Sequence, residues 1–342
     1  MRRQEAFRKQ YDLLRRSIDE RLRRFGRRKA PAEIRDATSY VIEGGGKRVR
    51  GVIVMLSCQV LGEPPRQAID AAAAVEILHN FTLVHDDIMD SALERRGRPS
   101  VHQKWGVNTA LLLGDVLVGE AYASLLRASG KRAAMILGTF TGALQEVCDG
   151  QALDMELERR TDVSVREYFP MIDKKTGALL SAAAVLGGMV GGGTRLELGA
   201  LGRFGRMLGR AFQLQDDLLD VVADPRSFGK AIGGDIIEGK KTFLLLTAAE
   251  RARGEDRTIL ERVLTRPRPG QWRREDGTLT GEGAQVIEDV RRVYERYGVL
   301  SDTEQLVRRT TTVALRQLGR LPSGRARDML SWLGESLVHR TS

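Results

Sequence analysis

The residues of this 342-residue chain best suited to chemistry form two copies of one acidic pattern. Asp86, Asp87 and Asp90 lie in FTLVHDDIMD, and Asp216, Asp217 and Asp220 in FQLQDDLLD, so DDxxD occurs twice, about 130 residues apart. On a helix, residues four apart share a face, so Asp86 with Asp90 and Asp216 with Asp220 each present two carboxylates about one turn apart. Leu83, Val84, Ile88 and Met89 flank the first set and Leu214, Leu218 and Leu219 the second, which brings the acids close to a buried face. Unneutralised charge is very costly there, so each pair calls for a cation. Donors that are all oxygen, with no cysteine nearby and four histidines in the whole chain, select Mg²⁺ over zinc, with Mn²⁺ as the substitute. Mg²⁺ takes few protein ligands and shares its shell with phosphate oxygens, so a diphosphate is the natural object to hold. About three Mg²⁺ ions would balance it and three liganding aspartates. One DDxxD alone would read as solvated helix surface; two on apolar helices do not.

Cations accompany the acids. GGGKRVRG, residues 44 to 51, sets Lys47 and Arg50 one turn apart at a glycine-rich helix start that includes Gly46, where free N–H groups favour an anion. It is not a P-loop, because Arg48 follows Lys47 where Ser or Thr is required. Arg95 and Arg96 follow the first acidic motif, and Lys175-Thr176-Gly177, Lys230 and Lys240 fall at other helix ends. Taken singly, each is equally well a solvated surface charge, and His79, two turns before Asp86, equally well a core histidine.

The elements that must position these groups are helices. Ala, Leu, Arg, Glu and Gly dominate, apolar residues recur at helical spacing, and no alternating strand bounded by hairpin turns is found. The fold class is all-α, with helices expected over roughly 4–25, 32–43, 48–61, 66–92, 107–129, 131–159, 165–190, 195–222, 239–253, 256–265, 282–298, 302–318 and 322–339. Residues 224 to 235, DPRSFGKAIGGD, read as a mobile lid, and residues 267 to 281 as a polar surface insertion.

An apolar content of 42% with 5% aromatics supports one large domain over residues 30 to 342, preceded by an N-terminal helix within residues 1 to 29. The net charge of +10 suggests nucleic acid until it is located: twelve Lys/Arg against four acids put +8 into residues 1 to 29, and the other 313 residues are close to neutral. Phe7, Tyr11, Leu14, Ile18, Leu22 and Phe25 form one apolar stripe there, so the arm reads as a helix docked on the core with a solvated arginine face. Peripheral contact with an anionic membrane surface is the sharper alternative. Apolar stretches such as Ala110 to Leu113 stop well short of the roughly 20 residues of a membrane span. Cys58 and Cys148 lie in apolar helical contexts without a CxxC pattern, as two buried, reduced thiols would. A cytoplasmic, soluble protein is expected.

Over roughly residues 30 to 340 these features resemble the trans-isoprenyl diphosphate synthases. GGGKRVRG is similar to that family's GGKRxRP, HNFTLVHDDIMDSALERRGRPSVH to its first aspartate-rich region, and FQLQDDLLDVVADPRSFGKAIGGDIIEGKKT to its second with the following lysine loop. The resemblance implies an isoprenoid-synthase helical bundle with a central active-site cavity, and a homodimer. Asp86, Asp90 and Asp216 would lead the Mg²⁺ ligands, with Asp87 and Asp220 in support and Asp217 completing the second catalytic motif. Lys47, Arg50, His79 and Arg96, with Gly46, would hold isopentenyl diphosphate; Arg95, Lys175, Lys230 and Lys240 would meet the allylic diphosphate. Oxygens of Lys175, Thr176 and Gln213 would stabilise the carbocation. Gly51 departs from the family, which usually has proline there.

Product length follows from the same helix. Phe81 stands five residues before Asp86, about 7.5 Å along the axis, with small Thr82 beside it. In the family that arrangement goes with C20 products, so geranylgeranyl diphosphate is expected first, farnesyl diphosphate second and C25 or longer third. A class I terpene cyclase is disfavoured, since it would want Asn/Asp, Ser/Thr and Glu at 216, 220 and 224, where all three are Asp. A non-catalytic regulatory subunit is disfavoured by two intact motifs.

Overall fold

A computed structural model describes residues 2–25, 29–128, 130–222, 233–265, 271–274 and 278–338. As expected, the chain is all-α. It comprises two compact units, each assembled from separated stretches: the first from Met1–Gln145, Leu179–Gly205 and Leu315–Leu333, the second from Glu146–Ala178, Arg206–Ala314 and Gly334–Ser342.

In the first unit, α1 (Arg2–Phe25) buries Phe7, Leu14, Ile18, Leu22 and Phe25, from the stripe read in the sequence, and leaves Arg3, Arg8, Arg16, Arg23 and Arg24 exposed, while Arg21 pairs with Asp70. Helices α2 (Ala32–Glu43) and α3 (Val49–Val60) follow; α3 is buried on nearly all sides, consistent with its sequence VIVMLSCQV. Helix α4 (Ile69–Met89) opens after a 3₁₀ turn at Pro65–Ala68, where proline at the first position of the turn sets φ. Its alanines, Ala71 to Ala74, are buried and carry no bulk that would hold neighbouring backbones apart.

A short helix that the sequence did not announce, α5 (Val101–Trp105), leads into α6 (Val107–Ala128). By length and composition α6 could cross a membrane, contrary to the expectation of short apolar stretches. It packs along α4 instead, burying Ala110, Leu113, Leu117, Ala121 and Leu125, and carries Asp115 and Glu120. Helices α7 (Ala133–Glu158), α9 (Ala178–Val190) and α10 (Arg195–Val222) contribute parts to this unit.

In the second unit the expected helix over 165–190 is interrupted. Helix α8 (Val165–Ile172) starts with a Ser164–Glu167 capping box and gives way to one π-helical turn at Asp173–Gly177 before α9. The expected helix over 239–253 resolves into α11 (Gly234–Glu238), a left-handed Gly239 (φ 68°) and α12 (Phe243–Arg251), whose first turn Thr242 caps by accepting the Leu245 N–H. Helices α13 (Gly254–Leu264), α14 (Gly281–Arg296), α15 (Val299–Leu318) and α16 (Arg325–Val338) follow, the last two contributing to both units. Trp272, inside the segment expected to be a surface insertion, is buried. Cys58 is buried as expected, but Cys148 is exposed, because position 148 falls on the solvent side of α7 between buried Val147 and Gly150.

Candidate active site: two aspartate clusters

The first cluster ends α4. Asp86 is half-buried in the last turn and Asp90 is exposed at the C-cap, its N–H bonded to the Asp86 carbonyl at 2.8 Å. Asp87 turns the other way and is 2% exposed. Its Oδ1 accepts from Arg95 Nε at 2.8 Å and from an Arg95 terminal nitrogen, so this carboxylate is neutralised by a protein cation. Arg95 is delivered by a hairpin in which Glu94–Arg95 pairs with Arg98–Pro99. Arg96 (φ 56°) and Gly97 (φ 69°) form its tip, with the positive φ at both positions that a type I′ turn requires.

The same tip sends Arg96 to the glycine-rich loop, where its guanidinium donates to the Gly45 carbonyl. A Cβ on Gly46 (φ 139°) would stand 3.1 Å from that guanidinium, so glycine is what lets Arg96 lie against the loop. Arg50, in the first turn of α3, has a terminal nitrogen 3.2 Å from His79 Nε2. A guanidinium only donates, so Nε2 accepts; burial, followed by the charges of Arg50, Arg96, Arg48 and Arg95, holds His79 well below its ordinary pKa and keeps it neutral. Lys47 stands exposed on the loop. A cleft is lined by Gly44, Asn80, Asp87, Arg95 and Arg96 among others.

One turn up α4, the Phe81 ring lies 4.7 Å from that of His85. His85 Nε2 would be 1.9 Å from a Cβ on Gly114 of α6, so only glycine at 114 lets the imidazole seat there. Thr82 donates its hydroxyl to the His79 carbonyl at 2.8 Å.

The second cluster lies on α10. Asp216 and Asp220 are half-buried and Asp217 is 4% exposed. Its Oδ2 accepts from the Tyr168 hydroxyl at 2.6 Å and its Oδ1 from the Gln213 amide at 2.9 Å. Gln213 in turn accepts from Thr176 Oγ1 at 2.9 Å, which joins three of the sequence-selected residues, Thr176, Gln213 and Asp217, into one chain of hydrogen bonds. Asp220 Oδ2 accepts the Asp235 N–H at 3.0 Å. Burial, then the neighbouring charge of Asp235, pushes Asp217 up to about 8 and Asp220 up to about 7.

The π-helical turn sets Lys175 and Thr176. A Cβ on Gly150 of α7 would lie 2.2 Å from the Lys175 nitrogen, and one on Gly209 of α10 2.6 Å from the Gly177 Cα, so two glycines admit the turn between their helices. Lys175 pairs with Asp154, and Arg210 clamps Asp173. Lys240 pairs with Glu238 at 2.9 Å and approaches Asp235 at 3.5 Å. Lys230 and most of the expected lid lie outside the described residues.

The acids therefore differ in their readiness for metal. Asp216 and Asp220 are oxygen donors that fit a hard divalent cation, beside Asp217 and Asp235, whose burial and charge raise the carboxylate pKa values of the cluster. Among the described residues no three His, Cys, Asp or Glu side chains form a metal-holding group. Sequence reasoning missed Tyr168, Asp154 and Asp235. Only Asp235, inside the quoted GGDII, carried a signal: an acid closing a glycine pair after the second motif.

The sequence profile of the polyprenyl synthetase family matches residues 31–273. A short chain isoprenyl diphosphate synthase of Methanothermobacter thermautotrophicus is 37% identical over 324 residues, covering 94% of this chain and 95% of that protein. A geranylfarnesyl diphosphate synthase of Natronomonas pharaonis is 32% identical, covering 91% of each. The crystal structure of a geranylgeranyl pyrophosphate synthetase from Pyrococcus horikoshii superposes with a TM-score of 0.89 at 34% identity, covering 99% of this chain and 100% of that one.

Proposed function

Because this chain belongs to the polyprenyl synthetase family and is a metal-dependent trans-prenyltransferase acting on allylic and isopentenyl diphosphates, we propose that it makes geranylgeranyl diphosphate, using about three Mg²⁺ ions, with Mn²⁺ as a substitute. The observation that carries the product length is Phe81: it stands on α4 above the first aspartates, packed on His85, where a growing tail running up that helix meets its first bulky side chain. Relatives named for C20 and for C25 products both resemble this chain, which keeps farnesyl and C25 diphosphates as the competing outcomes.

The residue roles follow the same reading. Asp86, Asp90, Asp216 and Asp220 hold the metal, and Mg²⁺, when bound, supplies the positive charge that eases departure of the allylic diphosphate. Lys47, Arg50 and Arg96, with neutral His79, hold the diphosphate of isopentenyl diphosphate; the Arg50–His79 contact and the Arg96–Gly45 bond support this grouping. Arg95, Lys175, Lys230 and Lys240 serve the allylic diphosphate. The oxygens of Thr176 and Gln213, already ordered by Asp217, face the developing cation, and the alkene of isopentenyl diphosphate attacks it before a proton is lost. Asp87 is assigned to holding Arg95, and Asp217 to holding Gln213, rather than to the metal.

A homodimer in the cytoplasm completes the proposal. Leu111, Leu112 and Leu126 leave an apolar face of α6 exposed, as a second copy would cover. The arginine face of α1 offers peripheral contact with an anionic membrane.

The test is incubation of the purified chain with Mg²⁺, isopentenyl diphosphate and dimethylallyl, geranyl or farnesyl diphosphate, followed by mass spectrometry of the dephosphorylated products. Linear C20 alcohol is expected, and Phe81→Ala should lengthen it. A C15 or C25 product, or an unchanged product from Phe81→Ala, removes Phe81 as the floor. Failure to elongate any of the three primers would point to a partner-dependent subunit.

A further inference from the structure

Two features of this chain stand outside the family pattern, Gly51 and the basic N-terminal helix, and the structure brings them together around Arg48. The Gly51 N–H donates to Glu76 Oε1 at 2.8 Å, and Glu76 is 3% exposed. Proline at 51 has no N–H to give, and a Cβ there would stand 2.9 Å from Ile18 of α1 and 3.1 Å from Glu76 Cγ. Arg48 is 3% exposed and left-handed, φ 49° and ψ 34°, a conformation that a residue other than glycine keeps only when its surroundings enforce it.

Those surroundings come from three helices, with α1 supplying the nearest carboxylate. Arg48 Nε donates to Asp19 at 2.9 Å, Arg48 Nη2 to the Ile42 carbonyl at 2.9 Å, and Glu76 lies 3.8 Å from Arg48 Nη1. One residue earlier, the Tyr11 hydroxyl of α1 donates to the Lys47 carbonyl. The rings of Phe7 and Tyr11 pack on Trp332, at 6.0 and 6.3 Å, which anchors α1 in the unit. Side chains of α1 thus hold the backbone of Lys47 and the guanidinium of Arg48, the residues that set where Lys47 and Arg50 present their charges.

We propose that Asp19 and Tyr11 are positioning residues of the diphosphate site, and that α1 is a working part of that site. The inference rests on the assignment of Lys47 and Arg50 to isopentenyl diphosphate. Without Asp19, Arg48 keeps only the more distant Glu76 as a charge partner, and the strained left-handed turn relaxes, carrying Lys47 and Arg50 out of register.

The test compares Asp19→Asn, Asp19→Glu, Tyr11→Phe and Lys47→Ala in the full chain, measuring KM for each substrate, kcat and Tm. Asp19→Asn is expected to raise KM for isopentenyl diphosphate about tenfold with a smaller effect on KM for the allylic substrate, Tyr11→Phe less, and Asp19→Glu to recover part of the loss. The double variant Asp19→Asn/Lys47→Ala should be less than additive, since both act through Lys47. If Lys47→Ala raises KM for isopentenyl diphosphate and Asp19→Asn does not, the positioning role is overturned and the site assignment stands. If both raise KM for the allylic substrate instead, the positioning role stands and the site assignment falls. If Lys47→Ala moves neither KM, both fall. A parallel rise in both KM values with a fall in Tm, for Asp19→Asn and Tyr11→Phe alike, would make α1 a structural support only, and overturn the inference.

Discussion

The two aspartate clusters share a sequence pattern but treat the central carboxylate in opposite ways. Asp87 and Asp217 are both buried, at 2% and 4% exposure. Asp87 receives the Arg95 guanidinium, a charge built into the protein. Asp217 receives a phenol and an amide, and Asp235 nearby adds a second negative charge. Hydrogen bonds satisfy the Asp217 oxygens without cancelling their charge, so the second cluster is the more dependent on cations from outside. A repeated motif can thus serve one chemistry while its two copies rest at different charge.

The largest expected effect tests what the clusters have in common. Asp86→Ala and Asp216→Ala should each lower kcat/KM by about 10³ or more, because metal and leaving group depend on both. Steady-state assays with isopentenyl and allylic diphosphates measure this. Near-normal activity in either variant would break the functional equivalence of the two motifs.

Next comes the difference between the central acids. Asp87→Asn leaves Arg95 without its charge partner, and should destabilise the metal-free protein by roughly 2–3 kcal/mol, the lower side of a broken buried pair because Arg95 is one-third exposed. Asp217→Asn keeps the Tyr168 bond, can lose the one from Gln213, and removes an unfavourable charge, so its stability should stay within about 1 kcal/mol of the parent. Urea denaturation without metal compares them. The reverse order would show that Arg95 is not what stabilises Asp87.

What the sequence made readable was whatever obeys a local period. The four-residue spacing placed both acid pairs on α4 and α10, and the Phe7-to-Phe25 stripe gave the buried side of α1. Contacts imposed from elsewhere in the fold were not readable. DKKTG, at 173 to 177, contains no helix breaker before its glycine; its π-helical turn is accommodated by Gly150 and Gly209 on other helices. The hairpin that sends Arg95 and Arg96 in different directions has strands of two residues, too short for any alternation to register. Spacing could bring Asp87 and Arg95 into the site, but not reveal that they neutralise each other, nor that Tyr168 is the donor to Asp217, 49 residues away.

The smallest expected effect is a difference in pH dependence between the clusters. Burial and Asp235 raise Asp217 to about 8 and Asp220 to about 7, while in the unfolded chain both ionise at the ordinary carboxylate value near 3.8. Between those limits the folded protein binds more protons than the unfolded one, so its stability must fall as pH rises. This contribution is fully present below about pH 4 and is lost as pH climbs to the folded values, most steeply between about 5 and 7 and levelling off above about 8. The metal-free protein should therefore lose a few degrees of Tm over that interval. Asp217→Asn should flatten the slope, and Asp87→Asn, whose carboxylate already has its cation, should leave it in place. Mg²⁺ with inorganic pyrophosphate should also flatten it, by supplying the charge that protons otherwise provide. A slope that follows Asp87 instead would place the uncompensated charge in the first cluster and invert the comparison.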